Sequence, residues 1–238
     1  MNIFDIGIVL LFIMFLITGF KRGVIKELVA LVGIILVFII SFSLKGVIGN
    51  ILCTFLPFFK FTGPIAGMTT INILMYQTIA FMIVFSILLS LYALALKISK
   101  YLQKLVNLTI ILWLPSKVLG AIVSFVKGYI VLFAVFLVLM IPLKNQAIFY
   151  ESSIINFILY KTPIISNSTK NYTTAISEVY DLGSNLSKKE ISVEEANKKS
   201  LAIMLRYSIV DKSTVENLIK LHKLDNINNI ESIINNNQ

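Results

Sequence analysis

Apolar residues gather in four long blocks over the first 143 positions: Ile3–Phe20, Leu28–Leu44, Ile71–Leu96 and Val118–Leu143. The first block contains one charge, Asp5, and the fourth contains one, Lys127. The second and third contain none, and the second is expected to begin a turn earlier, near Val24. A membrane-spanning helix needs about 20 apolar residues, with a range of about 17–25. Inside lipid, backbone polar groups must bond within their own segment, so these blocks predict helices. The ten-residue alternation of a membrane barrel is absent. The expected fold class is all-α: a polytopic membrane protein with four transmembrane helices and a small helical C-terminal tail. The predicted division is a transmembrane part over 1–143 and a polar tail over 144–238.

The first block ends in Thr18-Gly19-Phe20-Lys21-Arg22-Gly23, a tight basic turn into the second. The two form a helical hairpin. The first block is not expected to be a cleaved signal, because no basic residue precedes it and no small-x-small site follows it. Loop charges set the orientation. The first loop carries Lys21, Arg22 and Lys26, and the third carries Lys97, Lys100, Lys104 and Lys117. The second carries only Lys45 and Lys60. Cytoplasmic loops collect Lys and Arg, so loops one and three are expected inside, and both termini outside.

Two loops have patterns of their own. Ile51–Phe61 is an apolar run interrupted by Pro57 and followed by Gly63-Pro64 and Gly67. It is too short to span. Two readings stand: an interfacial or re-entrant segment, or a loop lying over the bundle. In the third loop Lys97, Lys100 and Lys104 share one helical face, away from Leu102, Leu105 and Val106. Such a helix suits anionic headgroups, with Trp113 beside Pro115 as an interfacial anchor.

In the tail, Ala147–Leu159 has apolar residues at helical spacing and stops before Pro163. A Ser/Thr/Asn-rich link is expected over Ser166–Thr174. Ser192…Glu195 and Ser213…Glu216 are capping-box signatures ahead of Ala196–Ile209 and Asn217–Leu224. They predict a helical hairpin at about 190–224. The Asn-rich end, through Asn235-Asn236-Asn237-Gln238, is expected to fray.

Composition agrees with the pattern. Hydrophobic residues make up 57% of the 238 residues and charged residues 14%, against roughly 25% charged in ordinary globular chains. Mean hydropathy is +0.88. The net charge of +9 lies between apolar blocks, where it encodes topology, and no nucleic-acid partner is expected. One cysteine, Cys53, excludes an internal disulfide and a cysteine-rich metal site. No phosphate loop, zinc-protease motif or nucleophile elbow occurs, so no enzyme, cofactor or metal is expected. The single histidine, His222, is expected to be structural or solvated.

The charges near the membrane are more informative. Lys127 lies about 14 Å along the fourth helix. A Lys at the bilayer centre costs about 2.5–3.5 kcal/mol on insertion scales. Either it faces the bundle interior and pairs with an acid, or it snorkels to the inner headgroups. Asp5 and Glu27 are the acids available, at the outer end of helix one and the inner end of helix two. Glu27 matches Lys127 better in depth, with Arg22 as a competing local partner. Gly120, Ser124 and Gly128 form a small-xxx-small face for close helix approach. Gly19 and Gly23, with Gly33, do similar service in the first hairpin.

These features together resemble the CvpA family, the colicin V production proteins. The resemblance rests on Asp5, the Gly19-Phe20-Lys21-Arg22-Gly23 turn with Glu27-Leu28, and the run Ser116-Lys117 … Gly120 … Ser124 … Lys127-Gly128. It covers residues 1–143. The chain departs from the family pattern at Ser116, where an acid or amide is usual, and at Ser124, where Gly is usual. Lys117 and Lys127 stand where Arg is usual.

The resemblance implies a four-helix bacterial inner-membrane protein linked to toxin production and envelope stress tolerance. The expectation is therefore a non-enzymatic protein that supports production or export of a colicin V-like product and envelope homeostasis. Its partners would be the lipid bilayer and membrane or secreted proteins, reached through the tail. Self-assembly through the small-residue face of helix four is a further expectation. The alternative is a transporter or channel subunit, with Lys127 and Glu27 or Asp5 lining a path.

Overall fold

The computed structural model describes residues 3–103, 113–143, 146, 149, 151–162, 165–224 and 227. Lys104, Leu105, Val106, Ala147, Pro163 and the Asn-rich end lie outside the described residues. The described residues are helical, with no strand among them. The long apolar helices are α1 (Ile3–Arg22), α2 (Val24–Phe55), α3 (Ile71–Gln103) and α4 (Trp113–Leu143). The tail contributes α5 (Ser153–Lys161), α6 (Ile165–Ser187), α7 (Val193–Arg206) and α8 (Lys212–Lys220). Each of the four apolar helices is long and hydrophobic enough to cross a membrane.

Several boundaries differ from expectation, each for a local reason. α2 continues past Leu44 to Phe55 because nothing stops it before Pro57, which disfavours helical backbone at the residue ahead of it. The helix therefore takes up Ile51–Phe55. The chain after it is a loop pinned to the start of α3. Phe59 N–H donates to Asn72 Oδ1 at 2.7 Å, Asn72 Nδ2 returns to Phe59 O at 3.2 Å, and the Tyr76 hydroxyl donates to Pro57 O. α3 carries on through Lys97 and Lys100, so this part of the expected third-loop helix is simply the end of α3. α4 opens at Trp113, with Pro115 in its first turn, where a missing N–H is harmless.

The chain divides into two compact units. The first comprises Met1–Ser43, Met82–Val138 and Ala147–Leu159. Its core includes Phe38, Phe133, Phe136, Leu137, Ile155 and Ile158, all buried. Phe38 meets Phe133 edge-on at 5.7 Å between ring centroids, and Phe136 meets Phe149 at 6.4 Å. α5 starts at Ser153, where Ser152 caps it: Ile155 N–H donates to Ser152 Oγ at 3.1 Å.

The second unit comprises Leu44–Phe81, Leu139–Gln146 and Tyr160–Gln238. The expected polar link at Ser166–Thr174 lies within α6, a helix from Ile165 to Ser187. Thr169, Tyr172, Thr173, Ala175, Ile176, Val179 and Tyr180 are buried along it at helical spacing. That buried face overrides the weak helix propensity of the Ser, Thr and Asn between them. α7 is capped as expected, Ser192 Oγ accepting from Glu195 N–H at 3.1 Å, while the Glu195 carboxylate pairs with Lys199 at 2.7 Å. α8 is capped by Asp211 and not by Ser213. Asp211 Oδ1 accepts from Thr214 N–H at 2.6 Å and from the Ser213 hydroxyl at 2.9 Å.

Tail side chains close the polar ends of three apolar helices within this unit. Lys223 Nζ donates to the carbonyls of Cys53, Thr54 and Leu56 at 2.5, 2.7 and 2.8 Å, at the end of α2. Asn197 Oδ1 accepts from Thr70 N–H at 3.2 Å and from its hydroxyl at 3.0 Å, at the start of α3. Tyr180 donates to Ile141 O at the end of α4. Helix termini carry unpaired backbone groups that need such partners when covered by protein. Burial pushes the Tyr180 hydroxyl up to about 12, so it stays a donor at any physiological pH.

Candidate functional site: an ion pair between α2 and α4

The site is assembled by close packing of α4 on α1 in the first unit. A Cβ added at Gly120 would lie 2.6 Å from Gly19 O and 2.8 Å from the Gly23 carbonyl carbon. One added at Gly128 would lie 2.5 Å from the Phe15 ring, and one at Gly19 would collide with Gly120 O and Ser124 Cβ. Only glycine allows these backbones to approach so closely. Phe12 and Phe125 continue the seam, with ring centroids 4.6 Å apart. The small-residue face of α4 is therefore filled by α1. This is the close helix approach expected of Gly19, Gly120, Ser124 and Gly128, made within one chain.

The α1–α2 turn closes at Gly23, whose φ of 79° suits glycine, with its N–H bonded to Gly19 O at 3.0 Å. Val24 N–H, the first donor of α2, reaches Ser116 Oγ at 3.3 Å. Serine is a competent helix N-cap, so at this position it still satisfies a terminal donor where the family pattern has an acid or amide.

Three charged side chains meet above that turn. Lys127 Nζ donates to Glu27 Oε2, and Arg22 stands 3.6 Å from Glu27 Oε1. Glu27 is completely buried, the Lys127 side chain is 11% exposed and that of Arg22 is 58% exposed. The exposed Arg22 contact is weak by comparison, being open to screening. Glu27 Oε1 and Ser124 Oγ are both buried without a hydrogen-bond partner among the described residues. Asp5 is held elsewhere. It is 3% exposed and accepts a hydrogen bond from Ser152 Oγ. It lies about 26 Å along α1 from Arg22. The structure thus brings Lys127, Glu27 and Arg22 together and assigns Asp5 to a separate contact.

Sequence reasoning had no signal for Ser152, Lys223 or Asn197, whose partners lie more than a hundred residues away. A further buried group escaped it too. Lys45 is 8% exposed, donates to Gln77 Oε1 at 3.2 Å, and lies 4.0 Å from the centre of the Tyr172 ring. A second-loop lysine read only as loop charge is in fact packed within α2.

Four apolar helices, with a wholly buried carboxylate bonded by lysine among them, define a polytopic helical membrane protein. The family model of the colicin V production protein matches residues 4–163, and the chain belongs to that family. No curated protein and no solved structure matches it.

Proposed function

We propose that this protein is a non-enzymatic component of the bacterial inner membrane that supports production or export of a small secreted product. Envelope homeostasis through protein partners belongs to the same reading. The observation that carries it is the extent of the family match, residues 4–163, which takes in all four apolar helices. Residues 164–238 fall beyond the match, and their described helices, α6, α7 and α8, are the natural place for a partner to bind. The tail is extracytoplasmic in this reading. Lys21, Arg22, Lys26, Lys97 and Lys117 favour the opposite side as cytoplasmic. The bonds of Lys223 and Asn197 to the ends of α2 and α3 support the tail and the second loop sharing one side.

The test has two parts. In a Cys53→Ala background, Ser184→Cys is labelled on intact cells with a membrane-impermeant thiol reagent. Labelling before lysis is expected, and labelling only after lysis overturns the orientation. Crosslinking through the tail, followed by capture, is then expected to retain an envelope or secreted protein. A strictly monomeric protein with nothing captured overturns the partner reading.

The buried pair favours a second reading, a transporter or channel subunit in which Lys127 and Glu27 line a path. Charges inside membrane segments mark solute or proton routes more often than not. Under this reading Lys127→Ala abolishes a flux or resistance phenotype while expression persists, and Lys127→Arg retains it. Wild-type behaviour of Lys127→Ala rejects it.

A further inference from the structure

A hydroxyl buried inside an apolar helix usually donates to the carbonyl four residues back. Ser41 does so in α2, to Val37 O at 2.6 Å, and Thr78 does so in α3, to Leu74 O at 3.0 Å. Ser124 in α4 is just as hidden from solvent, yet it makes no such bond to Gly120 O. Its hydroxyl has no hydrogen-bond partner among the described residues. Glu27 has a similar gap. Oε2 takes the Lys127 ammonium, while Oε1 has only the Arg22 guanidinium at 3.6 Å, beyond hydrogen-bond reach. Folded proteins leave few buried polar atoms in this state, because the loss of water goes unreturned.

The two unsatisfied atoms belong to one junction of the first unit. α4 climbs along the α1–α2 turn in regular steps. Ser116 Oγ meets Val24 N–H at 3.3 Å, and a Cβ on Gly120 would lie 2.8 Å from the Gly23 carbonyl carbon. Higher up, Lys127 reaches Glu27. Ser124 lies between Gly120 and Lys127 on α4. Glu27 lies one turn above Gly23, to whose carbonyl its N–H bonds at 3.3 Å. Ser124 and Lys127 are about 60° apart round their helix, so they share the side that faces the turn. The free hydroxyl and the open carboxylate oxygen therefore stand at one level of the bundle.

Their chemistry selects an occupant. An ionised carboxylate only accepts hydrogen bonds, whereas a serine hydroxyl both donates and accepts. A cation here would be repelled by Lys127 and Arg22, and an anion by Glu27. A neutral group that donates to Oε1 and accepts from Ser124 meets neither penalty. Beside backbones packed as closely as Gly19 and Gly120, water is the molecule of suitable size. Arg22, 58% exposed, marks the side from which it enters.

We propose that one buried water molecule is held between Glu27 and Ser124, donating to Oε1 and accepting from the Ser124 hydroxyl. It completes the hydrogen bonding of the carboxylate that Lys127 leaves half satisfied. It also gives Glu27 a proton-exchange contact other than Lys127. The inference rests on these two atoms and on neither functional reading, so it holds whether or not the protein carries a solute.

The experiment uses the full chain, with isotope-labelled glutamate, alanine and lysine, in phosphatidylcholine–phosphatidylglycerol vesicles. Solid-state NMR follows magnetisation passing from water to carbon. The Glu27 carboxyl signal is assigned by its loss in Glu27→Gln, and the buried Ala134 methyl is the dry reference. Fast transfer to the Glu27 carboxyl is expected, against slow transfer to Ala134. Ser124→Ala and Ser124→Gly remove the hydroxyl without filling the space. In both, transfer at Glu27 should fall towards the Ala134 level, while the carbon–nitrogen coupling between Glu27 and Lys127 persists. Glycine already stands at 120 and 128 on this face, so Ser124→Gly keeps the packing if Ser124→Ala disturbs it. Wild-type transfer as slow as at Ala134 overturns the proposal and leaves the pair dry. Undiminished transfer in both serine variants also overturns it and makes the Lys127 ammonium the relay.

Discussion

Lys127 on α4 donates to the buried carboxylate of Glu27 in the first turn of α2. Two opposite charges removed from water stabilise a fold only while each has the other. Breaking a buried pair from one side costs about 3–5 kcal/mol, whereas replacing both partners is close to neutral. Lys127→Met alone is therefore expected to lower stability by about that amount. The double variant with Glu27→Gln should recover most of it. Thermal unfolding in nanodiscs measures both, and equal losses in single and double variants would reject the pairing.

Gly128 faces the Phe15 ring at a distance that leaves no space for a methyl group. Gly128→Ala forces the ring or the helices to move, at a cost of about 1–3 kcal/mol. Adding Phe15→Leu should relieve much of the strain. Unfolding midpoints of the single and double variants decide it, and additive losses would mean that the two residues do not touch.

Lys223 ends α2 from a distance of some 170 residues in sequence. Hydrogen bonds to charged groups contribute about 1.5–3 kcal/mol each, and Lys223→Met removes three. Faster amide hydrogen exchange is expected at Leu56, whose N–H closes the last turn of α2 on Leu52 O. Exchange within α7 should change much less, since Ser192 still caps it. Unchanged exchange at Leu56 would show that the ammonium is dispensable there.

Asp211 gives a pH dependence with a definite sign. Burial pushes its carboxyl up, but bonds from the side chain and backbone N–H of Thr214 and from Ser213 outweigh this and hold it below the usual value. A group depressed in the folded state stabilises fully above its unfolded value, about 3.9, and loses that contribution as pH falls through the folded value. Asp211→Asn keeps an N-cap acceptor but cannot titrate. The difference in stability between wild type and Asp211→Asn should therefore shrink as pH falls below about 4. A constant difference from pH 7 to pH 3 would reject the assignment.

The four spans, the Gly23 turn and the class of the protein were readable in the sequence alone. A bilayer forces every long apolar block into a helix, so hydropathy dictates both type and approximate place. Glu27 as the better-matched acid for Lys127 was also readable, because position along neighbouring helices sets which charges can meet. Other features depended on what the residues meet in three dimensions. The Ser/Thr/Asn run of α6 is helical because Tyr172, Ile176 and Val179 along it find a core. The small residues of α4 pack against α1 of the same chain, a contact that spacing alone does not name. α7 and α8 end with Ser208 and His222 at positive φ and no glycine to announce it. The bonds of Lys223, Asn197 and Tyr180 to helix ends join residues far apart in the chain. Periodicity is a local property set by neighbours a few residues away. Caps, ion pairs and packed faces between distant segments arise only when the chain has folded and water has left the contact.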